Sequence, residues 1–270
     1  MSRKSLRLPF RLLALWLAVT PMAWASPVDL ADKPLTVGTS GEVKPNVMII
    51  FDDSGSMGWT HLPDHVRTLR TRIGYKSAQC NGVYYNPAIV YQPPVKADGT
   101  SYPNVDFYNA PYNGYSTSST KRDLSTRFKA YDDTTSYDGG DDTEQAAYYY
   151  TYTGNEPAMS YSYTATGDVD TSTSLYKECN ASSSGKFTKV TVGAAERQNF
   201  ANWYSYYRIR ILTAKTAVGR ALAGLSEPSN YRIGFTTHSY TDTDTSNNSF
   251  QKVDDFCAAA PGCSQRTSLF

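Results

Sequence analysis

The chain has 270 residues, with 26 Lys and Arg against 25 Asp and Glu, a formal net charge of +1 and 22 tyrosines. That length admits one or two domains. A balance this close to neutral gives no electrostatic case for nucleic acid, and beyond the N-terminus no stretch approaches the roughly 20 apolar residues of a membrane-spanning helix.

Arg3, Lys4, Arg7 and Arg11 precede the apolar run Leu12 to Val19, and Pro21 and Ala23-Trp24-Ala25 follow. A basic segment, a short apolar segment and an A-x-A site read as a secretory signal peptide over residues 1–25, cut after Ala25. That segment holds four basic and no acidic residues, so its removal shifts the net charge from +1 to −3. Export would place Cys80, Cys179, Cys257 and Cys263 in an oxidising compartment, where disulfides are the default. No C-x-x-C occurs, and His61, His65 and His238 are distant from the cysteines in sequence, so zinc is not expected. Four cysteines allow three connectivities. A Cys80–Cys179 bridge would tie the two ends of the tyrosine-rich region, and Cys257 with Cys263 would close a tight loop around Pro261-Gly262. The first of these is the pair expected.

Residues 26–44 contain Pro27, Pro34, Gly38 and Gly41 and read as an irregular lead-in with one short edge strand at Leu35–Val37. The next stretch is Pro45-Asn46-Val47-Met48-Ile49-Ile50-Phe51-Asp52-Asp53-Ser54-Gly55-Ser56-Met57. Val47 to Phe51 are apolar without alternation, which predicts a strand buried on both faces. Behind it, Asp52, Ser54 and Ser56 stand at D-x-S-x-S spacing. A turn there converges three hard oxygen donors, as Mg²⁺ or Mn²⁺ requires.

From 59 to 193 the chain is dominated by Tyr, Ser, Thr, Asn, Asp and Gly. Long aliphatic periodicity is absent, so short strands and turns are expected, a β-rich insertion packed through its aromatics. The acidic run Tyr131 to Asp142 lacks the spaced carboxylates of an EF-hand and reads as a solvated loop. From Ala194, apolar residues from Phe200 and Trp203 through Ile211 and Val218 to Leu225 recur at three- and four-residue steps. They predict one amphipathic helix of about seven turns, ended by Gly224 and Pro228, with Trp203, Tyr204 and Tyr207 in the core. Tyr231 to His238 reads as a second strand, and Thr241 to Ser249 as a polar turn. After Tyr240 no clear third strand is visible. Strand, loop, helix and strand make a βαβ unit with the oxygen-rich loop at the carboxyl end of the first strand, the edge where open α/β sheets bind ligands.

Asp52-Asp53-Ser54-Gly55-Ser56-Met57 behind Val47 to Phe51 resembles the metal-ion-dependent adhesion site of von Willebrand factor A domains. The helix with Lys215 and Ala217 and the strand Tyr231 to His238 are similar to the first helix and second strand of that fold. Within that superfamily, Cys80 to Pro94 with its Tyr-Tyr-Asn-Pro core resembles the N-terminal region of type IV pilus tip adhesin and biogenesis proteins of PilY/PilC type. So does Arg197-Gln198-Asn199-Phe200-Ala201-Asn202-Trp203-Tyr204-Ser205-Tyr206-Tyr207-Arg208. The resemblance implies an α/β fold, a partial von Willebrand factor A-like (Rossmann-type) sheet formed by 45–58 and 194–270 and interrupted by the insertion 59–193.

It further implies an exported protein of the periplasm, outer membrane surface or pilus tip, engaged in pilus assembly, surface adhesion and, in some members, mechanical sensing. The implied partners are pilins and minor pilins, together with a carboxylate from a surface or host receptor that completes the metal shell. Asp52, Ser54 and Ser56 are the metal ligands carried over by position. The later threonine and aspartate ligands of an A domain and the C-terminal β-propeller of the pilus family have no counterpart here, so the chain reads as an N-terminal fragment. Lys44 to Asp53 also resembles the opening strand of sulfatases and related metallohydrolases. Their Cys/Ser-x-Pro-x-Arg nucleophile is missing, because Ser226-Glu227-Pro228-Ser229-Asn230 lacks the arginine. A serine-hydrolase elbow fails too, since no glycine stands two before Ser54. The reading is therefore a non-enzyme, with a metallohydrolase or a metal-free structural exported protein as the alternatives.

Overall fold

The computed structural model describes residues 44–131, 142–225, 231–240, 250–257 and 265–269. The expected signal peptide, the strand at Leu35–Val37, Pro228, the turn Thr241–Ser249, Cys263 and the acidic run between its end residues Tyr131 and Asp142 lie outside them. The elements in chain order are β1 (Asn46–Phe51), β2 (Ala110–Pro111), β3 (Lys121–Arg122), β4 (Tyr148–Tyr152), α1 (Ser174–Cys179) and β5 (Phe187–Thr191). They continue with α2 (Arg197–Tyr206), α3 (Arg210–Ala223), β6 (Arg232–Thr237), β7 (Phe250–Asp255) and α4 (Gln265–Leu269).

The expected α/β unit is present. β1 and β6 pair in parallel, with Val47 opposite Ile233, Ile49 opposite Phe235 and Phe51 opposite Thr237. Parallel neighbours need a crossover, and α3 supplies it. Val218, Leu222 and Leu225 meet Ile49, Ile233, Phe256 and Leu269 on one face of the sheet. Among the described residues the sheet has a third strand that the sequence did not announce: β7 lies antiparallel beside β6. Its sequence, Phe-Gln-Lys-Val-Asp-Asp, is polar because it forms a half-exposed margin. The ladder bulges at Gly234, where a Cβ would stand 2.8 Å from Val253 Cγ2 and 2.9 Å from the Gln251 carbonyl, so only glycine fits. Gln265 of α4 donates to the carbonyls of Ile233 (2.7 Å) and Lys252 (2.6 Å) beside that bulge.

Two expectations fail here for physical reasons. β1 is not buried on both faces: Met48 is 42% and Ile50 69% exposed, because α3 and α4 cover only the face of Ile49. The single seven-turn helix is two helices. Tyr207 leaves helical geometry and Ile209 is extended (φ −122°, ψ 157°). At the break, the buried Arg208 guanidinium sits 4.7 Å from the Tyr112 ring centre and 4.6 Å from that of Tyr204. Thr213 and Thr216 of α3 donate to the carbonyls of Tyr207 (2.7 Å) and Tyr206 (2.9 Å), so hydroxyls of the second helix satisfy the end of the first. The two helices face different partners. Phe200 to Tyr206 are seven consecutive buried residues, whereas α3 buries only Leu212, Thr216 and Leu222.

α2 is the centre of the insertion's core, so packing assigns it to the tyrosine-rich region and not to the sheet. Phe200 lies 4.8 Å from the Tyr85 ring, 5.3 Å from Phe128 and 4.9 Å from Trp203. Such pairs each add about 0.5–1.5 kcal/mol beyond the area they bury. Trp203 and Tyr204 are buried as expected. Tyr207 is half-buried against Tyr91 and donates to the Gln92 carbonyl at 2.6 Å. The core is aromatic without being β-rich: among the described residues its strands form only the two-stranded ladders β2–β3 and β4–β5, and turns make up most of the rest.

Side chains serve this irregular backbone where ladders cannot. Asn81 accepts from Leu62 and Val83 N–H and donates to the carbonyls of Thr60 and Tyr75, all within 3.2 Å. Asn202 accepts from Val105 N–H and donates to the Tyr91 carbonyl and Asn104 Oδ1, each at 3.0 Å. Cys80 and Cys179 form the expected disulfide, across a sequence separation of 99. Cys257 is also disulfide-bonded.

Candidate metal centre

The carboxyl end of β1 runs directly into the D-x-S-x-S loop. Ser54 N–H donates to Asp52 Oδ1 at 2.8 Å, an Asx turn that swings the chain back on itself. A 3-10 turn over Gly55–Gly58 follows, with Met57 N–H donating to the Ser54 carbonyl at 2.9 Å. The turn brings Ser54 Oγ and Ser56 Oγ to 2.9 Å from one another. Thus all three sequence-derived candidates belong to one local cluster, with Asp52 tied to Ser54 and Ser54 to Ser56.

The donor set fits a small hard cation. Adjacent corners of an octahedron with metal–oxygen distances of about 2.0–2.1 Å lie about 2.9 Å apart, the spacing of the two hydroxyls. Asp52 and Ser56 face solvent or its margin, leaving room for water and for a ligand from outside. Hydrogen bonds from the Ser54 side chain and backbone hold the Asp52 carboxyl below the usual carboxylate range, so it is ionised at neutral pH. No group of three or more His, Cys, Asp or Glu side chains is placed to hold a metal among the described residues.

Asp53 is the residue that sequence reasoning left without a task. Its Oδ1 accepts from Ser239 N–H at 3.0 Å, and hydrogen bonding to the Ser239 side chain first, then to this N–H, lowers its pKa. His238 N–H donates to the Phe51 carbonyl at 2.8 Å, extending the β1–β6 pairing beyond the strands. Asp53 therefore pins the turn after β6 to the loop after β1, while Asp52 organises the loop itself. The doubled aspartate was the available signal.

Beyond the loop, the insertion leaves and returns at one place. Arg210 at the start of α3 donates its backbone N–H to the Trp59 carbonyl (3.3 Å) and its Nε to the His61 carbonyl (2.7 Å). Its guanidinium stands 5.0 Å from the Trp59 ring centre and pairs with Asp64 at 2.8 Å.

These features define an α/β strand–loop module with a hydroxyl-rich loop at its carboxyl edge, carrying a disulfide-tied aromatic insertion. The chain is PilY1-like. It is similar to the type IV pilus biogenesis factor PilY1 of Pseudomonas aeruginosa strain PAO1, at 31% identity over 223 residues. The corresponding factor of strain PAK is 32% identical over 221 residues, and that of strain UCBPP-PA14 34% over 219. The matches cover 77–78% of this chain and 17% of each relative, so the chain spans about a sixth of their length. No family model and no solved structure matches significantly. No helix among the described residues is long and apolar enough to cross a membrane.

Proposed function

We propose that this chain is part of an exported type IV pilus-associated protein that supports pilus assembly and surface adhesion. In this reading it works with pilins and minor pilins at the periplasm, outer membrane surface or pilus tip. It is a binding module and not an enzyme. Its loop takes up Mg²⁺ or Mn²⁺ in the manner of a metal-ion-dependent adhesion site, and a receptor carboxylate completes the shell. The observation that carries the metal assignment is the 2.9 Å approach of Ser54 Oγ to Ser56 Oγ, beside Asp52, at the carboxyl end of a strand in a parallel pair. The likeness to the pilus biogenesis factors supports the pilus role. The antiparallel third strand beside β6 is consistent with the A-domain-like sheet.

Ser54 and Ser56 would bind the ion directly, and Asp52 would bind it directly or through water. Isothermal titration with Mn²⁺ and Mg²⁺ on the intact protein and on Asp52→Ala and Ser56→Ala tests this. Saturable binding weakened at least about tenfold by either substitution is expected, since each removes a hard oxygen donor. Equal binding by all three proteins rules the loop out.

A further inference from the structure

A cleft outside the D-x-S-x-S loop lies between residues 71–76 and 182–189 and has a volume of about 630 Å³. That size falls within the roughly 300–1,000 Å³ range of small-ligand sites. Three cations line it: Arg72, Lys76 and Lys189. Two of the three have no carboxylate partner among the described residues. Lys76 is paired with Asp142 at 3.8 Å and Lys189 donates to Gln145 Oε1 at 2.8 Å, but neither Arg72 nor Lys189 makes an ion pair among the described residues. Lys76 and Lys189 both stand against the Tyr148 ring, at 5.8 and 4.1 Å from its centre. Burial depresses the Lys76 pKa, Asp142 partly offsets it and the nearby Lys189 adds to it, and an anion in the cleft would relieve that stress. In a chain whose exported portion would carry −3, this is a local reversal of sign.

The rest of the wall is hydroxylic. Ser182, Ser183 and Ser184 form its rim, and the half-buried Tyr150 ring adds an apolar surface. The rim is held in place. Cys179 is bonded to Cys80, Ile73 N–H donates to the Ala181 carbonyl at 3.2 Å, and a Cβ on Gly74 would stand 2.4 Å from the Cys179 carbonyl oxygen. The disulfide therefore fastens the serine rim to the segment that bears Arg72 and Lys76.

We infer that this cleft is a binding site for a carboxylated saccharide. The cations take the carboxylate, the serine hydroxyls meet the sugar hydroxyls, and Tyr150 underlies a ring face. Inorganic phosphate leaves most of the volume empty, and an acidic peptide meets the hydroxyl rim with amides alone, whereas a sugar ring offers it several hydroxyls that both donate and accept.

The test titrates the full chain with trigalacturonate, with its methyl ester as the uncharged control and tetraglutamate and inorganic phosphate as competitors in charge. Arg72 and Lys189 both reach solvent, so the double variant Arg72→Gln/Lys189→Gln should keep the wild-type circular dichroism and melting temperature. Saturable 1:1 binding of trigalacturonate is expected, weakened at least about tenfold in the double variant and by added salt, with no binding of the ester. Lack of saturation, equal binding of the ester, equal binding by the double variant, or tighter binding of tetraglutamate or phosphate each overturns the inference.

Discussion

His61 has no exposed surface and stacks on the Trp59 ring at 4.9 Å, with Arg210 close by. Burial first, and then the charge of Arg210, push its pKa from 6.5 down to about 4; Arg67 and Arg70 act in the same direction and Asp64 opposes them. Between those two values the unfolded chain binds a proton that the folded chain refuses. His61 therefore contributes stability that is fully present above about pH 6.5 and is lost as the pH falls toward 4, at most about 3 kcal/mol. Urea denaturation at intervals from pH 7 to 4.5 should show this fall, and His61→Gln should flatten it. An unchanged slope in the variant assigns the effect elsewhere. At this scale the clustering of the hydroxyl-rich loop was legible because Asp52, Ser54 and Ser56 are neighbours in sequence. The partner of Asp53 was not, because Ser239 lies 186 residues away.

Elements were legible where their pattern is local, and misread where a partner decides. Val47 to Phe51 does form a strand, but apolar content alone could not say how much of it would be covered. The run from Phe200 to Leu225 keeps one helical period across the break, so periodicity hides the point where the two helices turn to different partners. Tyrosines favour strands only where a pleated, half-buried surface receives them. In the insertion they fill an aromatic core built from turns, and asparagine side chains replace the missing ladder bonds. β7 escaped notice because a margin strand needs few apolar residues. The disulfide belongs to this scale as well, since it fixes α1 to the segment before Asn81. It closes a loop of nearly one hundred residues, for which the chain-entropy model gives about 4–5 kcal/mol. The Cys80→Ser/Cys179→Ser variant should lose most of that in urea denaturation. A loss below about 1 kcal/mol would mean that the aromatic core alone restrains the loop.

Across the described residues, burial is unevenly distributed. The insertion's main aromatic cluster is far larger than the cluster beneath the three-stranded sheet, and β1 has an open face. Local opening should follow that difference. Hydrogen exchange followed by mass spectrometry should find the amides of Ala201 to Tyr206 among the slowest, and those of Val47 to Ile50 faster. The reverse order would mean that the sheet is the stable unit. The meeting of Trp59 and Arg210 has a further consequence for how such a chain could arise. Because the two ends of a 150-residue excursion are joined by a hydrogen bond, the sheet experiences it as a hairpin-sized loop. An ancestral connection could lengthen there without moving the strand before it or the helix after it. The same geometry would let a gene acquire a new binding surface by insertion, while the older module kept its register.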